Sequence, residues 1–388
     1  MSAKHKNLLQ VLGQVIVIPQ PQAAKYVTNN EEYRIKGEAH LRNGRLAQRG
    51  YNKANGEENF VQAASCFRVA AENNDTDSKY NLGACYYYGI GVTQDFVQAF
   101  KLWREASDHN HADAQYAIGH CYAGESRKNP SGRGWIHEGI GVTRDEKQAA
   151  HWYAKAAELG HSDAQYTLGC YYASYEPGLE RSDVLAFQWC RKAAEQGHAL
   201  GQYWLGNFYS KTENKEANPH AAAHWFKKSA DQGHAKAQYE IALCHLNGNG
   251  AAKDIELALT WLHKSAHKGY EEALWILGWH YITGDGVEKS LTTGHAFISL
   301  AAERGHRFAI KDMDQVEHSF LNEYWNNSDE DLCGVQKSQV NGEHLVHHIE
   351  GLASVLRNEI KAKTAADIAA AEWSNRSLWP VLLDCRFM

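Results

Sequence analysis

The sequence predicts an all-α fold: an α/α right-handed superhelical solenoid of about seven repeats with a C-terminal helical extension. Two observations carry this. The phrase Trp152-Tyr153-Ala154-Lys155-Ala156-Ala157-Glu158-Leu159-Gly160-His161 returns along the chain. Its last position falls at Asp75, His111, His161, His198, His234, Tyr270 and His306, in steps of 36, 50, 37, 36, 36 and 36 residues. A fixed period of this length belongs to stacked units, none of which buries its apolar face alone. Between phrases, Ala, Leu, Gly and Tyr recur at i, i+4, i+5 and i+8, as in Ala164, Leu168, Gly169 and Tyr172, which places them on one helix face.

Each unit therefore reads as a helix A carrying the Ala-Leu-Gly-Tyr face and a helix B carrying the aromatic-Ala phrase. Tyr80 to Val92 (Tyr-Asn-Leu-Gly-Ala-Cys-Tyr-Tyr-Tyr-Gly-Ile-Gly-Val), joined to phrases such as Trp152 to His161, resembles the Sel1-like repeat family, a relative of the tetratricopeptide repeats. The resemblance covers residues 31–306. It implies a protein-binding scaffold with helix A lining a concave side, and it carries no shared catalytic residues. It also admits a dedicated inhibitor or immunity partner of a secreted bacterial toxin.

Taken in order, residues 1–30 read as an N-terminal segment and connector, 31–306 as the repeat array, 307–326 as a capping helix, and 327–388 as a long helix and apolar tail. Lys4 and Lys6 precede the apolar run Leu8–Ile18, the outline of a signal peptide, but Gln10, Gly13, Gln14 and Pro19-Gln20-Pro21 dilute it. A segment latched onto the array is the expectation, with export the alternative if residues 1–23 are a signal. The first unit is degenerate, with a helix B over residues 59–73 and Cys66-Phe67 in place of Trp-Tyr.

The helix A glycines at 83, 119, 169, 206 and 278, with Ala242 as the one substitute, predict close helix contact, since glycine costs about 1 kcal/mol there relative to alanine. The Tyr or Trp at 116, 166, 203, 239 and 275 is expected to pack between successive units. Asp95, Asp145, Asp183 and Asp254 mark helix B starts. The 50-residue step leaves 14 extra residues, 124–137, read as a long loop between helices with Arg127, Arg133 and Trp135 offered to a partner. Beyond His306, a helix over 308–325 covers the last repeat. Residues 343–373 read as a narrow-striped helix, and the tail from Leu378 to Leu383 is too apolar to be left in water. That tail would also suit a homodimer.

A net charge of −6 with 22% charged residues argues against nucleic acid, which calls for a concentrated basic face. No apolar run approaches the roughly 18 residues of a membrane span. Eight cysteines are not disulfide-scaffold density. Cys85, Cys121 and Cys244 share one repeat position and read as packing residues, while Cys170 and Cys190 lie on the two helices of one unit and could pair. Reduced thiols in a cytoplasmic protein fit best.

Motifs for catalysis are missing: the sequence has no H-E-x-x-H, G-x-S-x-G or P-loop, and the G-x-G pieces after helix A lack the third glycine of a dinucleotide fingerprint. His344, His347 and His348, at i, i+3 and i+4, are the cluster with metal geometry and ground the alternative reading, a metal-dependent hydrolase. The leading reading is a non-enzymatic adaptor with no cofactor, gripping another protein or peptide on helix A. Its candidate contacts are His120, Tyr171, Trp204, Phe208, Trp279 and His280, because aromatic side chains dominate binding hot spots.

Overall fold

The computed structural model describes residues 30–49, 53–128, 135–174, 180–211 and 217–313. The chain divides into two compact units, Met1–Ala106 and Ser107–Met388. The first contains α1 (Asn30–Arg49), α2 (Lys53–Glu72), α3 (Thr76–Tyr88) and most of α4 (Phe96–Ser107). The second contains α5 (Ala112–Ala123), β1 (Glu125–Lys128), β2 (Trp135–Glu138), α6 (Glu146–Glu158), α7 (Ser162–Ala173), α8 (Asp183–Glu195) and α9 (Ala199–Ser210). It continues with α10 (Pro219–Asp231), α11 (Ala235–Asn247), α12 (Ile255–His267), α13 (Glu271–Thr283) and α14 (Leu291–Glu303). Residues 307–313 are again helical. Within each unit helices adjacent in sequence pack on one another, α1 on α2 and α2 on α3 in the first and each successive pair from α5 to α14 in the second.

One contact repeats inside the pairs. A Cβ added at Gly37, Gly83, Gly119 or Gly206 would come within 2.6 Å of the ring of Phe67, Trp103, Tyr153 or Phe226 respectively. At Gly169 it would strike Cys190 Sγ, and at Gly278 it would strike Ile298. Helix A thus gives up a side chain so that the second residue of the helix B phrase can enter its groove. Phe67, Trp103, Tyr153, Cys190, Phe226, Leu262 and Ile298 are all buried. Where Ala242 replaces glycine, the inner residue is the non-aromatic Leu262. The first repeat follows the rule: Phe67 is the inner residue, and Gly37 is its partner. Its helix B starts at Lys53, six residues before the 59 that the sequence suggested, because 53–58 continue the helix ahead of the recognisable phrase.

The outer residue of the phrase does different work. Trp152, Trp189, Trp225 and Trp261 each carry the ammonium of the lysine three positions on, Lys155, Lys192, Lys228 and Lys264, at 4.4, 3.9, 4.6 and 4.0 Å from the ring centroid.

The phrase-ending histidine is the N-cap of the next helix A. His111, His161, His198, His234 and His306 accept through Nδ1 from the backbone N–H three residues on, at 3.2, 3.1, 3.0, 3.2 and 3.1 Å. An accepting Nδ1 places the proton on Nε2. That nitrogen donates to the previous repeat in two cases, His161 to Asp113 at 3.1 Å and His198 to Asp163 at 3.0 Å. Burial alone would raise both carboxyl groups, but the histidine hydrogen bonds and charges outweigh it and hold them below the usual range. The preceding tyrosine completes the joint: Tyr116, Tyr166 and Tyr203 lie with ring centroids 4.5, 4.8 and 4.7 Å from His161, His198 and His234.

A third ladder is made of glutamines. Gln165, Gln202 and Gln238 donate to the carbonyls of Ala157, Ala194 and Ala230 at the end of the helix B before them. Gln165 and Gln202 accept in turn from Gln196 and Gln232 of the next repeat.

His234 has no acidic partner: Leu200 stands where earlier repeats have Asp113 and Asp163. Burial, then the charges of Lys236 and Lys268, lower its imidazole to about 4. Folding therefore favours its neutral form. That contribution is intact above the unfolded value near 6.5 and is lost as pH falls to about 4, a difference on the order of 3 kcal/mol. Asparagine caps helices without titrating. The His234→Asn variant is thus expected to lose less melting temperature than wild type between pH 7 and 4.5. Parallel profiles would show that this cap does not drive the acid response.

The 124–137 stretch departs from the sequence reading. It forms an antiparallel hairpin rather than a plain loop, with Glu125 opposite Glu138, Ser126 opposite His137, Arg127 opposite Ile136 and Lys128 opposite Trp135. The insertion joins residues 124 and 139, and pairing its arms closes that gap. The cysteine reading is settled against a bridge: Cys66, Cys85, Cys121, Cys170, Cys190 and Cys244 are free. Burial pushes the thiols of Cys85, Cys121 and Cys190 up, Cys85 to about 12, so they pack as small apolar groups.

Candidate protein-binding face

Helix A residues of the second unit fall into two groups. Ala, Leu and Gly positions such as Ala164, Leu168, Gly169, Leu205 and Gly206 are buried against helix B. Helical spacing turns Tyr171, Trp204, Phe208 and Trp279 away from them, and all four remain half-buried. The small residues nearby are packed inside: Ala117 and Cys121 in this unit, and Asn81, Ala84 and Cys85 in the first.

Trp204 and Phe208, one turn apart on α9, stack with centroids 5.8 Å apart and planes 18° apart. Phe208 also lies 4.4 Å from Phe187 of α8. The result is an aromatic ridge fixed by its neighbours, presented with little conformational entropy left to lose. Tyr171 is fixed by a polar contact: its hydroxyl donates to Glu146 Oε2 at 2.9 Å, while Arg144 Nε holds Glu146 Oε1 at 2.8 Å.

The remaining candidates are placed as follows. His120 has a Nε2 that is buried and without a hydrogen-bond partner; burial lowers the ring to about 4, with Tyr116 and Tyr153 packed edge-on against it. The Trp279 indole donates to Asp312 Oδ2 at 3.1 Å, and Trp275 donates to the same oxygen at 2.8 Å. His280 Nδ1 lies 2.8 Å from the Asp285 carbonyl, closing the turn after α13. His245 makes the equivalent contact with Ala252 at 3.0 Å. The backbones of Arg127 and Trp135 lie on opposite hairpin strands. Arg133, the segment 1–29, the helix over 343–373, the apolar tail and the histidines at 344, 347 and 348 lie outside the described residues.

The structure thus brings Trp204 and Phe208 together and commits Trp279 and His280 to contacts within the chain. Among the described residues no group of three or more metal-ligating side chains occurs. No described helix is long and apolar enough to cross a membrane.

The Sel1 repeat profile matches residues 45–75, 76–111, 112–131, 134–161, 162–198, 199–234, 235–270 and 271–306. That is eight matches against about seven units read from the sequence. The difference is the hairpin, which splits one unit into 112–131 and 134–161. No curated protein matches the chain. Among solved structures, c5321, a protective antigen of uropathogenic Escherichia coli with this repeat fold, is 25% identical with a TM-score of 0.63. The match covers 91% of this chain and 68% of that one. A Sel1 repeat protein from Oxalobacter formigenes is 25% identical with a TM-score of 0.51, covering 68% of this chain and 96% of that one. Immunity protein PA5088 from Pseudomonas aeruginosa is 20% identical with a TM-score of 0.39, over 61% of this chain and 81% of that one, a likeness too low to bear on function. With profile, repeat geometry and solved structures in agreement, the chain belongs to the Sel1-repeat family, an all-α repeat solenoid that serves as a scaffold for protein interaction.

Proposed function

We propose that this chain is a non-enzymatic adaptor that holds one partner polypeptide on the helix A faces of its second unit, with the Trp204–Phe208 ridge as the anchor. The observation that carries the reading is the ridge itself: two large apolar side chains on one helix A, stacked on each other, braced by Phe187 and left half-buried. Aromatic anchors of this kind supply most of the energy at protein interfaces. The hairpin strands carrying Arg127 and Trp135 would add contacts at one edge. A cytoplasmic home belongs to the same reading and is consistent with the six described cysteines, all unpaired. The narrower role, inhibition of a bacterial toxin, rests on the family resemblance alone.

The experiment is affinity purification of the full chain from its native cells, identification of any stoichiometric polypeptide, and titration of that polypeptide against wild type. One tight complex that is lost when Trp204 is replaced supports the reading. A complex indifferent to Trp204, or a catalytic turnover assigned to the chain, refutes it.

A further inference from the structure

The C-terminal repeats of the second unit hold a pair of carboxylates among tyrosines. Tyr203 on α9, Tyr239 and Glu240 on α11, and Tyr270 and Glu272 at the start of α13 come from three consecutive helix A elements. Stacking places the repeat positions side by side, and the Tyr239 and Tyr270 rings meet edge to face at 5.3 Å. Glu272 lies against the Tyr270 hydroxyl, and its charge is also felt at Tyr203, Tyr239 and Glu240.

All five side chains are half-buried. Glu272 Oε2 is shut off from solvent and has no hydrogen-bond partner. Burial first, and then the neighbouring Glu272 charge, raise the Glu240 carboxyl. Burial likewise pushes the Tyr239 hydroxyl up to about 12.

Elsewhere in the array the corresponding acids are satisfied: Asp113 and Asp163 receive His161 and His198. Glu272 occupies the same position after the cap residue, and His306 stands where those repeats have His161 and His198, but Glu272 Oε2 receives no hydrogen bond. Three cations of these repeats are held elsewhere: Lys236 is exposed, the Lys268 ammonium lies at Gly233, and the Arg304 guanidinium donates to the Gly269 carbonyl at 3.0 Å. Two partly desolvated like charges side by side, one oxygen unpaired, form an arrangement that a cation would relieve twice over. Tyrosine rings around it add attraction for a flat guanidinium or an ammonium.

We infer that this Tyr203–Tyr239–Glu240–Tyr270–Glu272 cluster receives an arginine or lysine side chain of the partner polypeptide, making the partner's bound segment basic. The inference deepens the adaptor reading and rests on it. A basic side chain would satisfy Glu272 Oε2, separate the two carboxylates electrostatically, and set the register of a segment anchored one repeat earlier on the Trp204–Phe208 ridge.

The test uses the full chain, with N-acetylarginine amide as probe and N-acetylcitrulline amide as its neutral isostere. Binding is followed through the ring signals of Tyr203, Tyr239 and Tyr270 in NMR spectra. The arginine compound is expected to move all three and to bind at least tenfold more tightly than citrulline. Glu240→Gln with Glu272→Gln is expected to abolish that preference at unchanged helical content. Equal response to the two probes, or an arginine preference that survives the double variant, overturns the inference. A wild-type chain that ignores both probes, yet loses a protected arginine Nε–H signal in the double variant, would place one of its own arginines there and also overturn it. Each of these results leaves the Trp204 titration untouched, so failure here is distinct from failure of the adaptor reading.

Discussion

Replacing Trp204 by alanine and Phe208 by leucine together is expected to weaken the partner complex by about 2–4 kcal/mol, roughly 30- to 1,000-fold in Kd. The indole and the phenyl ring form one stacked surface, so their loss removes the anchor in a single step. Leucine at 208 keeps an apolar contact with Phe187, which limits the damage to the helix pair beneath. Circular dichroism of the variant should therefore match wild type. Trp279→Ala is the informative contrast. Its indole is already engaged by Asp312, so that substitution should lower stability more than it lowers affinity. Titration calorimetry with the purified partner separates the cases: equal losses of affinity at both positions would argue against an anchor localised to α9.

The second large effect concerns how the repeats are built. Phe226 fills the groove that Gly206 leaves open, with a Cβ at 206 falling 2.5 Å from the ring. Phe226→Ala should cost about 3–5 kcal/mol through the cavity it leaves. Gly206→Ala should cost about 1–3 kcal/mol by overpacking, a strain that outweighs the gain of about 1 kcal/mol in helix propensity. The double variant should be at least ~1 kcal/mol more stable than the sum predicts, because the new methyl enters space the ring has vacated. Urea unfolding of the four proteins gives the coupling. Strict additivity would mean that glycine and ring do not share one groove.

Much of this architecture is legible in the chain because it repeats. The 36-residue step fixes the helix pairs, and the recurrent helix A glycine announces a close approach before any coordinate is known. What the glycine approaches is harder to read, because the inner slot accepts Phe67, Trp103, Tyr153, Cys190, Phe226, Leu262 and Ile298 alike. Looking for Trp-Tyr pairs therefore hides the fact that the first repeat, with Gly37 and Phe67, is constructed like the others. The histidines are visible as a turn position, but their capping bond and the Asp113 and Asp163 contacts join residues about one repeat apart. The hairpin lacks an apolar alternation to announce it. In the candidate site, helical spacing alone identifies Trp204 and Phe208. Sequence cannot tell that Trp279 is held by Asp312, 33 residues away, or that His280 closes a turn. The Glu240–Glu272 pair was equally hidden, since only stacking brings α11 and α13 side by side.

Hydrogen–deuterium exchange on the full chain, with and without its purified partner, tests the central claim most directly. A partner seated on helix A should slow exchange in α9 and α11 at residues 199–210 and 235–247, while α8 and α10 exchange as before. Protection confined to α8 and α10, or absent from the whole array while the complex persists, would mean that the polypeptide is held elsewhere.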